Sequence, residues 1–307
     1  MKVLITGSGG MVGRNLMADS RAAEHELLHP SRRELELSDA AACLAYVDRH
    51  RPDAIIHLAA LVGGIQANIQ APARFLSENL TIGLNVIGAA RLVGTPRVIN
   101  LGSSCMYPRD INHPLSEDRL LSGPLEPANE GYALAKLAIW KLADAIGAET
   151  GLLYRTFIPP NLYGAFDTFD PVRSHLVAAA ILKIDAAMRH GRGEVEIWGD
   201  GEARREFMFA ADLADFIWDH LDRLHLLPPR MNVGVGVDRT VGEYYRAVAD
   251  VLGFDGVFVH NLGRPVGFGR KLLDVTVQTD LGWRPATSLA AGIAAAAGYF
   301  RSLTQAT

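Results

Sequence analysis

The 307-residue sequence predicts an α/β protein: a doubly wound parallel sheet with a smaller mixed α/β region attached. Three observations predict it. Short apolar runs alternate with amphipathic stretches from residue 2 to about residue 157, the order expected of parallel strands with helices on both faces. A glycine-rich turn follows the first apolar run directly. Beyond Pro159 the pattern changes, with aromatic, proline and glycine residues more frequent and the helical stretches shorter.

Composition sets the outer limits. A chain that is 49% hydrophobic and 21% charged is that of a soluble globular protein, long enough for one large domain or two interleaved ones. The net charge of −4, without a dense Lys/Arg cluster, leaves no electrostatic footprint for nucleic acid. Cys43 and Cys105 are too few for a disulfide framework and lack metal-ligand spacing, so no metal site and a cytoplasmic setting are expected. The chain enters a strand without signal-peptide architecture, and no apolar run approaches the ~20 residues of a membrane span.

Lys2 to Thr6 is the first strand, followed by Gly7-Ser-Gly-Gly10-Met-Val-Gly13 and a helix over Met11 to Ala18. Gly7, Gly10 and Gly13 allow a tight turn, close approach of a pyrophosphate and close helix packing; Met11 and Val12 open a helix whose unpaired N–H groups face the anion. Strand, turn and helix in this order read as a Rossmann-type dinucleotide site. His25 to His29 is a second strand, ending at Pro30-Ser-Arg-Arg33, where the ribose would lie. An acidic residue there would accept from the hydroxyls of NAD, whereas Ser31, Arg32 and Arg33 suit an extra phosphate, so NADP(H) is the expected cofactor. Ser38-Asp39 caps a helix to about His50, with Asp39 also in reach of the adenine edge.

Asp53 to Ala60 is the third strand, whose end (Leu58, Ala59, Ala60) is placed to touch cofactor, and it leads into the Val62 to Ile65 loop. A long helix over Ala71 to Val93 covers the sheet. Arg97 to Gly102 is a buried strand whose carboxyl end, Leu101-Gly102-Ser103-Ser104-Cys105, delivers side chains into a cleft. Tyr132 and Lys136 lie four apart on a helix and so share one face. A phenol titrates near ~10, and a neighbouring ammonium would stabilise its phenolate. Ser103 adds a hydroxyl to the pair.

Leu152 to Phe157 is the next strand, followed by Pro159-Pro-Asn-Leu-Tyr-Gly164; Ser174-His175 opens a helix to about His190. Val195 to Trp198 and Arg205 to Phe209 read as short strands, Asp212 to Leu224 as a helix and Met231 to Val235 as a strand. From about Thr240 come a helix, a Val257 to His260 strand, a loop around Arg270-Lys271 and a terminal helix. Residues 1–162, with about 207–237 returning, are expected to form the NADP-binding domain, and 163–206 with 238–307 the substrate-binding domain.

The motifs GSSCMYP, GPLEPANEGYALAK, NLYG, SHL, WGDGEARREF, NVGVGVD and RKLLDVT together resemble the extended short-chain dehydrogenases/reductases. Within them the chain is similar, over nearly its whole length, to the GDP-L-fucose synthases. The resemblance implies an enzyme that inverts carbons 3 and 5 of a GDP-4-keto-6-deoxy sugar and reduces carbon 4 with NADPH. It implies Ser103, Tyr132 and Lys136 as the reductase triad, and Cys105 and His175 as the acid/base residues of epimerisation. It also implies contacts to cofactor or substrate from Ser104, Pro159, Asn161, Leu162 and His175, and to the nucleotide sugar from Lys183, Trp198, Arg205 and Lys271. The chain departs from that family at Gly9 (usually Arg), Leu61 (Lys), Gly131 (Pro) and Pro160 (Thr), and in the loop at 265–271, where Val266 cannot accept a hydrogen bond. A 6-deoxy-heptose or colitose-type GDP-sugar is the alternative substrate. A non-catalytic NADP-sensing protein is the alternative class, although such proteins tend to lose the Tyr or Lys kept here. The superfamily implies a homodimer through the two long helices, to which Leu84, Ile87 and Leu137 would contribute.

Overall fold

A computed structural model describes residues 1–110, 114–171, 174–263 and 269–305; Val266 lies outside the described residues. The first half alternates strand and helix: β1 (Lys2–Thr6), α1 (Met11–Ala18), β2 (Glu26–Leu28), α2 (Ala40–His50), β3 (Ala54–His57), α3 (Ile65–Gln70), α4 (Pro72–Val93), β4 (Arg97–Leu101), α5 (Glu130–Thr150) and β5 (Leu153–Ile158). The second half runs β6 (Asn161–Tyr163), α6 (Leu176–Arg189), β7 (Glu194–Trp198), β8 (Arg204–Arg205), β9 (Phe207–Phe209), α7 (Ala210–His220), β10 (Arg230–Asn232), β11 (Arg239–Thr240), α8 (Val241–Leu252), β12 (Val257–Asn261), β13 (Arg270–Lys271), α9 (Thr276–Asp280) and α10 (Leu289–Gln305).

Six strands form one parallel sheet in the order β10-β5-β4-β3-β1-β2. Successive side chains of β1 alternate between two cores. Val3 and Ile5 join Leu16 of α1 and Phe216 and Ile217 of α7, while Leu4 joins Val86, Ile87 and Ile139 of α4 and α5. Both faces are therefore covered, which is why the strands read as continuous apolar runs. The connections leave β1 toward β2 on one side and β3 on the other, so the direction of winding reverses between β1 and β3, and ligands of such sheets bind at the carboxyl ends there. A further core, built on Ile181, Ile184, Ile197, Tyr244, Val248, Ile293 and Phe300, lies among α6, β7, α8 and α10.

Three expectations change. Arg270-Lys271 is a strand, paired parallel with β8, and two residues are too short to show a period of two. The predicted Arg205 to Phe209 strand is broken at Glu206, because β8 pairs with β11 and β13 whereas β9 pairs with β6. Ile87 faces the sheet and Leu137 packs with Met106, Tyr107 and Trp140, so neither reaches the surface; the exposed leucines of these helices include Leu84 and Leu134. No helix among the described residues is long and apolar enough to cross a membrane.

Candidate active site

At the carboxyl end of β1 the chain must turn within a few residues. Gly7 adopts φ +75°, and a Cβ on it would stand 2.7 Å from the Ala59 nitrogen, so only glycine lets the ends of β1 and β3 approach. Gly10 is the N-cap of α1, its N–H donating to the Gly7 carbonyl at 3.0 Å, while a Cβ on Gly13 would lie 2.5 Å from the Gly7 oxygen. The result is a side-chain-free cradle at a helix N-terminus, which fits the pyrophosphate of a dinucleotide. Met11 and Val12 form the first turn of α1, and Leu58, Ala59 and Ala60 follow β3 beside the cradle.

Beyond β2, Ser31, Arg32 and Arg33 are exposed. Arg32 pairs through Nε with Glu36 at 2.8 Å, and the Ser31 N–H donates to Glu34, so acids already engage this turn and a 2′-phosphate would compete with Glu36 for Arg32. Asp39 caps α2, its Oδ1 accepting from the Ala42 N–H at 3.0 Å.

The end of β4 meets α5. Gly102 donates to the Phe157 carbonyl at 2.7 Å and Ser104 to that of Pro159 at 3.0 Å, which pins the loop to the end of β5. Lys136 is buried and donates from Nζ to the Leu101 carbonyl at 2.7 Å; its ammonium stands 5.8 Å from the centre of the Tyr132 ring. Burial pushes the Lys136 pKa down to about 8. Burial also pushes the Tyr132 phenol above its ordinary value, the Cys105 sulfur adding to the rise and a hydrogen bond with Ser103 opposing it. The protein alone therefore keeps Tyr132 protonated, and the lowering of its pKa expected from the neighbouring lysine does not outweigh burial. Beneath the pair, His57 is held neutral, pushed down to about 3 by burial and then by the Lys136 charge, and its Nδ1 lies 2.8 Å from Thr6 Oγ1.

Cys105 is the meeting point of three segments. Its backbone N–H donates to Ser103 Oγ at 3.2 Å, Asn129 Nδ2 reaches its sulfur at 3.0 Å and Lys271 Nζ reaches it at 3.5 Å. Arg205 lies close enough to feel this group: burial lowers its pKa, and the charges of Cys105 and Glu126 work the other way. His175 is the N-cap of α6, its imidazole pKa pushed down by burial, and no hydrogen bond joins it to Cys105. Asn161 donates to the Glu206 carbonyl at 3.4 Å, and Leu162 packs against the core beneath the sheet.

Lys183 and Trp198 form a separate group. Lys183 Nζ lies 5.2 Å from the Trp198 ring and donates to the Glu196 carbonyl at 2.9 Å. The structure thus brings Ser103, Cys105, Tyr132, Lys136, Arg205 and Lys271 to one place and sets Lys183 and Trp198 in another. Sequence reasoning missed Asn129, although its place three residues before Tyr132, at the entrance of the same helix, was a usable signal.

Such a cradle at the switch of a parallel sheet, with a Tyr–Lys helix beside it, defines a dinucleotide-dependent enzyme of the Rossmann type. The sequence pattern of the NAD dependent epimerase/dehydratase family matches residues 3–234. The chain is 47% identical over 301 residues to GDP-L-colitose synthase of Yersinia pseudotuberculosis, covering 98% of each chain. It is 48% identical over 299 residues to GDP-L-fucose synthase of Azorhizobium caulinodans, covering 97% of this chain and 96% of that one. Among solved structures, MlghC, the GDP-mannoheptose C4 reductase from Campylobacter jejuni with NADP bound, superposes with a TM-score of 0.88 at 26% identity, covering 98% of each chain. The chain belongs to the NAD dependent epimerase/dehydratase family.

Proposed function

We propose that this protein is a nucleotide-sugar epimerase-reductase that inverts carbons 3 and 5 of a GDP-4-keto-6-deoxy sugar and reduces carbon 4 with NADPH. One observation carries the reading: a thiol, held by Asn129 and Lys271, stands two residues from Ser103 and next to the Tyr132–Lys136 pair. A reductase alone has no use for it. The names of the relatives support a GDP-sugar as substrate and NADP(H) as cofactor. The glycine cradle would hold the pyrophosphate, and Arg32, released from Glu36, the 2′-phosphate.

The cofactor, when bound, supplies hydride for carbon 4. The keto group acidifies the protons on carbons 3 and 5, and Cys105 and His175 serve as the acid/base residues that exchange them. Tyr132 donates its proton to the developing alkoxide, Ser103 hydrogen-bonds the same oxygen and Lys136 holds the nicotinamide ribose. Lys183, Trp198, Arg205 and Lys271 hold the nucleotide sugar, with cofactor assigned to 1–162 plus 207–237 and sugar to 163–206 plus 238–307. A second reading keeps the reduction of carbon 4 and the Cys105/His175 acid/base pair for a 6-deoxy-heptose or a colitose-type GDP-sugar, in the latter of which carbon 3 is a CH₂ and only carbon 5 is inverted. It is favoured by Leu61, apolar where the resemblance implies a lysine. A homodimer through α4 and α5 is supported by exposed Leu84 and Leu134, and a cytoplasmic setting by two free cysteines.

Turnover of a panel of GDP-4-keto sugars, followed by NADPH oxidation, tests the substrate. The division of labour is tested by two variants. Cys105→Ser replaces a thiol by a hydroxyl too weakly acidic to exchange protons at neutral pH, so it should reduce the keto sugar slowly without inversion. Tyr132→Phe should still exchange deuterium from heavy water into carbons 3 and 5 while NADPH consumption collapses. An inverted product at normal rate from Cys105→Ser, read by NMR, would contradict the assignment.

A further inference from the structure

Three of the motifs noted in the sequence, WGDGEARREF, NVGVGVD and RKLLDVT, are far apart in the chain, and all three end on one buried carboxylate. Glu206 is 1% exposed. Its Oε1 accepts the N–H of Val235 at 2.6 Å and of Gly236 at 2.9 Å, and its Oε2 accepts the N–H of Leu273 at 2.7 Å. Burial pushes this carboxyl up to about 7 and the three backbone N–H groups oppose the rise; a carboxyl so buried needs such donors, and they fix each backbone relative to the others. Gly234 is shaped to this contact, since a Cβ on it would stand 2.5 Å from Glu206 Oε1.

The groups fixed in this way bear on the site. Arg205 precedes Glu206, and Lys271 lies two residues before Leu273. Arg205 and Lys271 are direct partners in the parallel pairing of β8 with β13, and Lys271 reaches Cys105 from there. The neighbouring pair, Arg204 and Arg270, points to a different anchor: both donate to Asp238, at 3.1 and 2.5 Å. Each of the two registered pairs is thus tied to a carboxylate from outside its own strands or from the break between them. β8 and β13 are two residues long, and strands so short hold few hydrogen bonds of their own.

Resting on the GDP-sugar reading above, we infer that Glu206 is a positioning residue. By clamping the ends of three segments it holds Arg205 and Lys271 at the spacing at which the two cations receive the nucleotide sugar. It touches neither cofactor nor substrate.

Glu206→Gln puts an amide NH₂ where one of the N–H donors must be accepted, and so loosens one arm while keeping the size of the side chain. The KM for the GDP-sugar and the Kd for GDP should rise about tenfold, the kcat for reduction should stay within about twofold and NADPH affinity should be unchanged. Lys271→Met should weaken GDP binding, and the double variant should be little worse than the weaker single one, as expected when one residue acts through the other. Gly234→Ala pushes on the same carboxylate from outside and should give the same phenotype if Glu206→Gln does not fold. Unchanged GDP affinity in a folded Glu206→Gln, a fully multiplicative double variant, or loss of folding in both Glu206→Gln and Gly234→Ala would overturn the proposal. Failure of the wild-type protein to bind GDP in the calorimeter would overturn the GDP-sugar reading and, with it, this role; GDP binding that Glu206→Gln leaves intact overturns this role alone.

Discussion

Burial acts in opposite senses on the two ends of the Tyr132–Lys136 pair. It holds the phenol protonated, which suits a residue that must deliver a proton to an alkoxide, and it brings the lysine down to about 8, within reach of working pH. The consequence for stability has a definite sign. Because the folded pKa of Lys136 lies below its ordinary 10.5, the unfolded chain binds more protons between about 8 and 10.5, and this group makes the fold more stable as pH rises through that window. Activity should move the other way, since the role proposed for Lys136, holding the ribose, calls for its charged form. We expect kcat/KM to fall above about pH 8, with that limb missing from the residual rate of Lys136→Met. A limb that persists in Lys136→Met would assign the titration to another group.

At the scale of elements, α4 and α5 pack closely because small residues stand where they touch. A Cβ on Gly83 would lie 2.4 Å from Ile139 Cγ1, and one on Gly131 would lie 2.6 Å from the Pro72 carbonyl oxygen, which gives a physical reason for glycine rather than a larger residue at both positions. Gly83→Ala gains about 1 kcal/mol of helix propensity, yet overpacking costs about 1–3 kcal/mol, so a net loss of about 1 kcal/mol is expected in denaturant unfolding. Leu84, one residue on, is exposed, and Leu84→Glu should change stability by no more than about 0.5 kcal/mol while weakening the proposed homodimer, read by sedimentation; an unchanged oligomeric state would remove this face from the proposal. α4 was legible to within a residue, read as Ala71 to Val93 and ended by Gly94 in a left-handed cap, and Asp39 marks the start of α2, whereas of α5 only the shared face of Tyr132 and Lys136 was read. β13 was not legible, and β8 only through Arg205, read as the start of a strand to Phe209, because two residues are too few to show a period. Ser103, Tyr132 and Lys136 were readable as a set from strand end and helix spacing. The contact of Lys271 with Cys105 spans 166 residues and depends on the pairing of β8 with β13, which no periodicity encodes.

Over the whole molecule, the core of Val3, Ile5 and α7 beneath the large sheet and the further core among α6, β7, α8 and α10 are joined by more than the chain that passes between them. In β9 alternate residues serve both: Met208 packs beneath the large sheet, while Phe207 packs with Tyr163 and Tyr244 in the second core. α1 and α10 are also bridged, Arg14 lying 4.0 Å from the Phe166 ring centre and donating to the Tyr299 hydroxyl at 3.0 Å. Clamping of the Gly234–Gly236 segment by Glu206 and Gln278 adds a third tie, because that segment continues directly from β10 of the large sheet. Elements that share buried side chains unfold together, since neither core can lose β9 without exposing an apolar face. Thermal unfolding should therefore be one transition in calorimetry. A ligand that binds only one lobe should then move that whole transition, by about 2.7 kcal/mol of added stability at a concentration of a hundred times its Kd. GDP, assigned to the region of β7, β8 and β13, is the discriminating ligand, because NADPH is assigned to the cradle at the large sheet and would stabilise that sheet in either case. Two resolved transitions, of which GDP shifts one and leaves the other in place, would show that the seam at β9 does not couple the lobes.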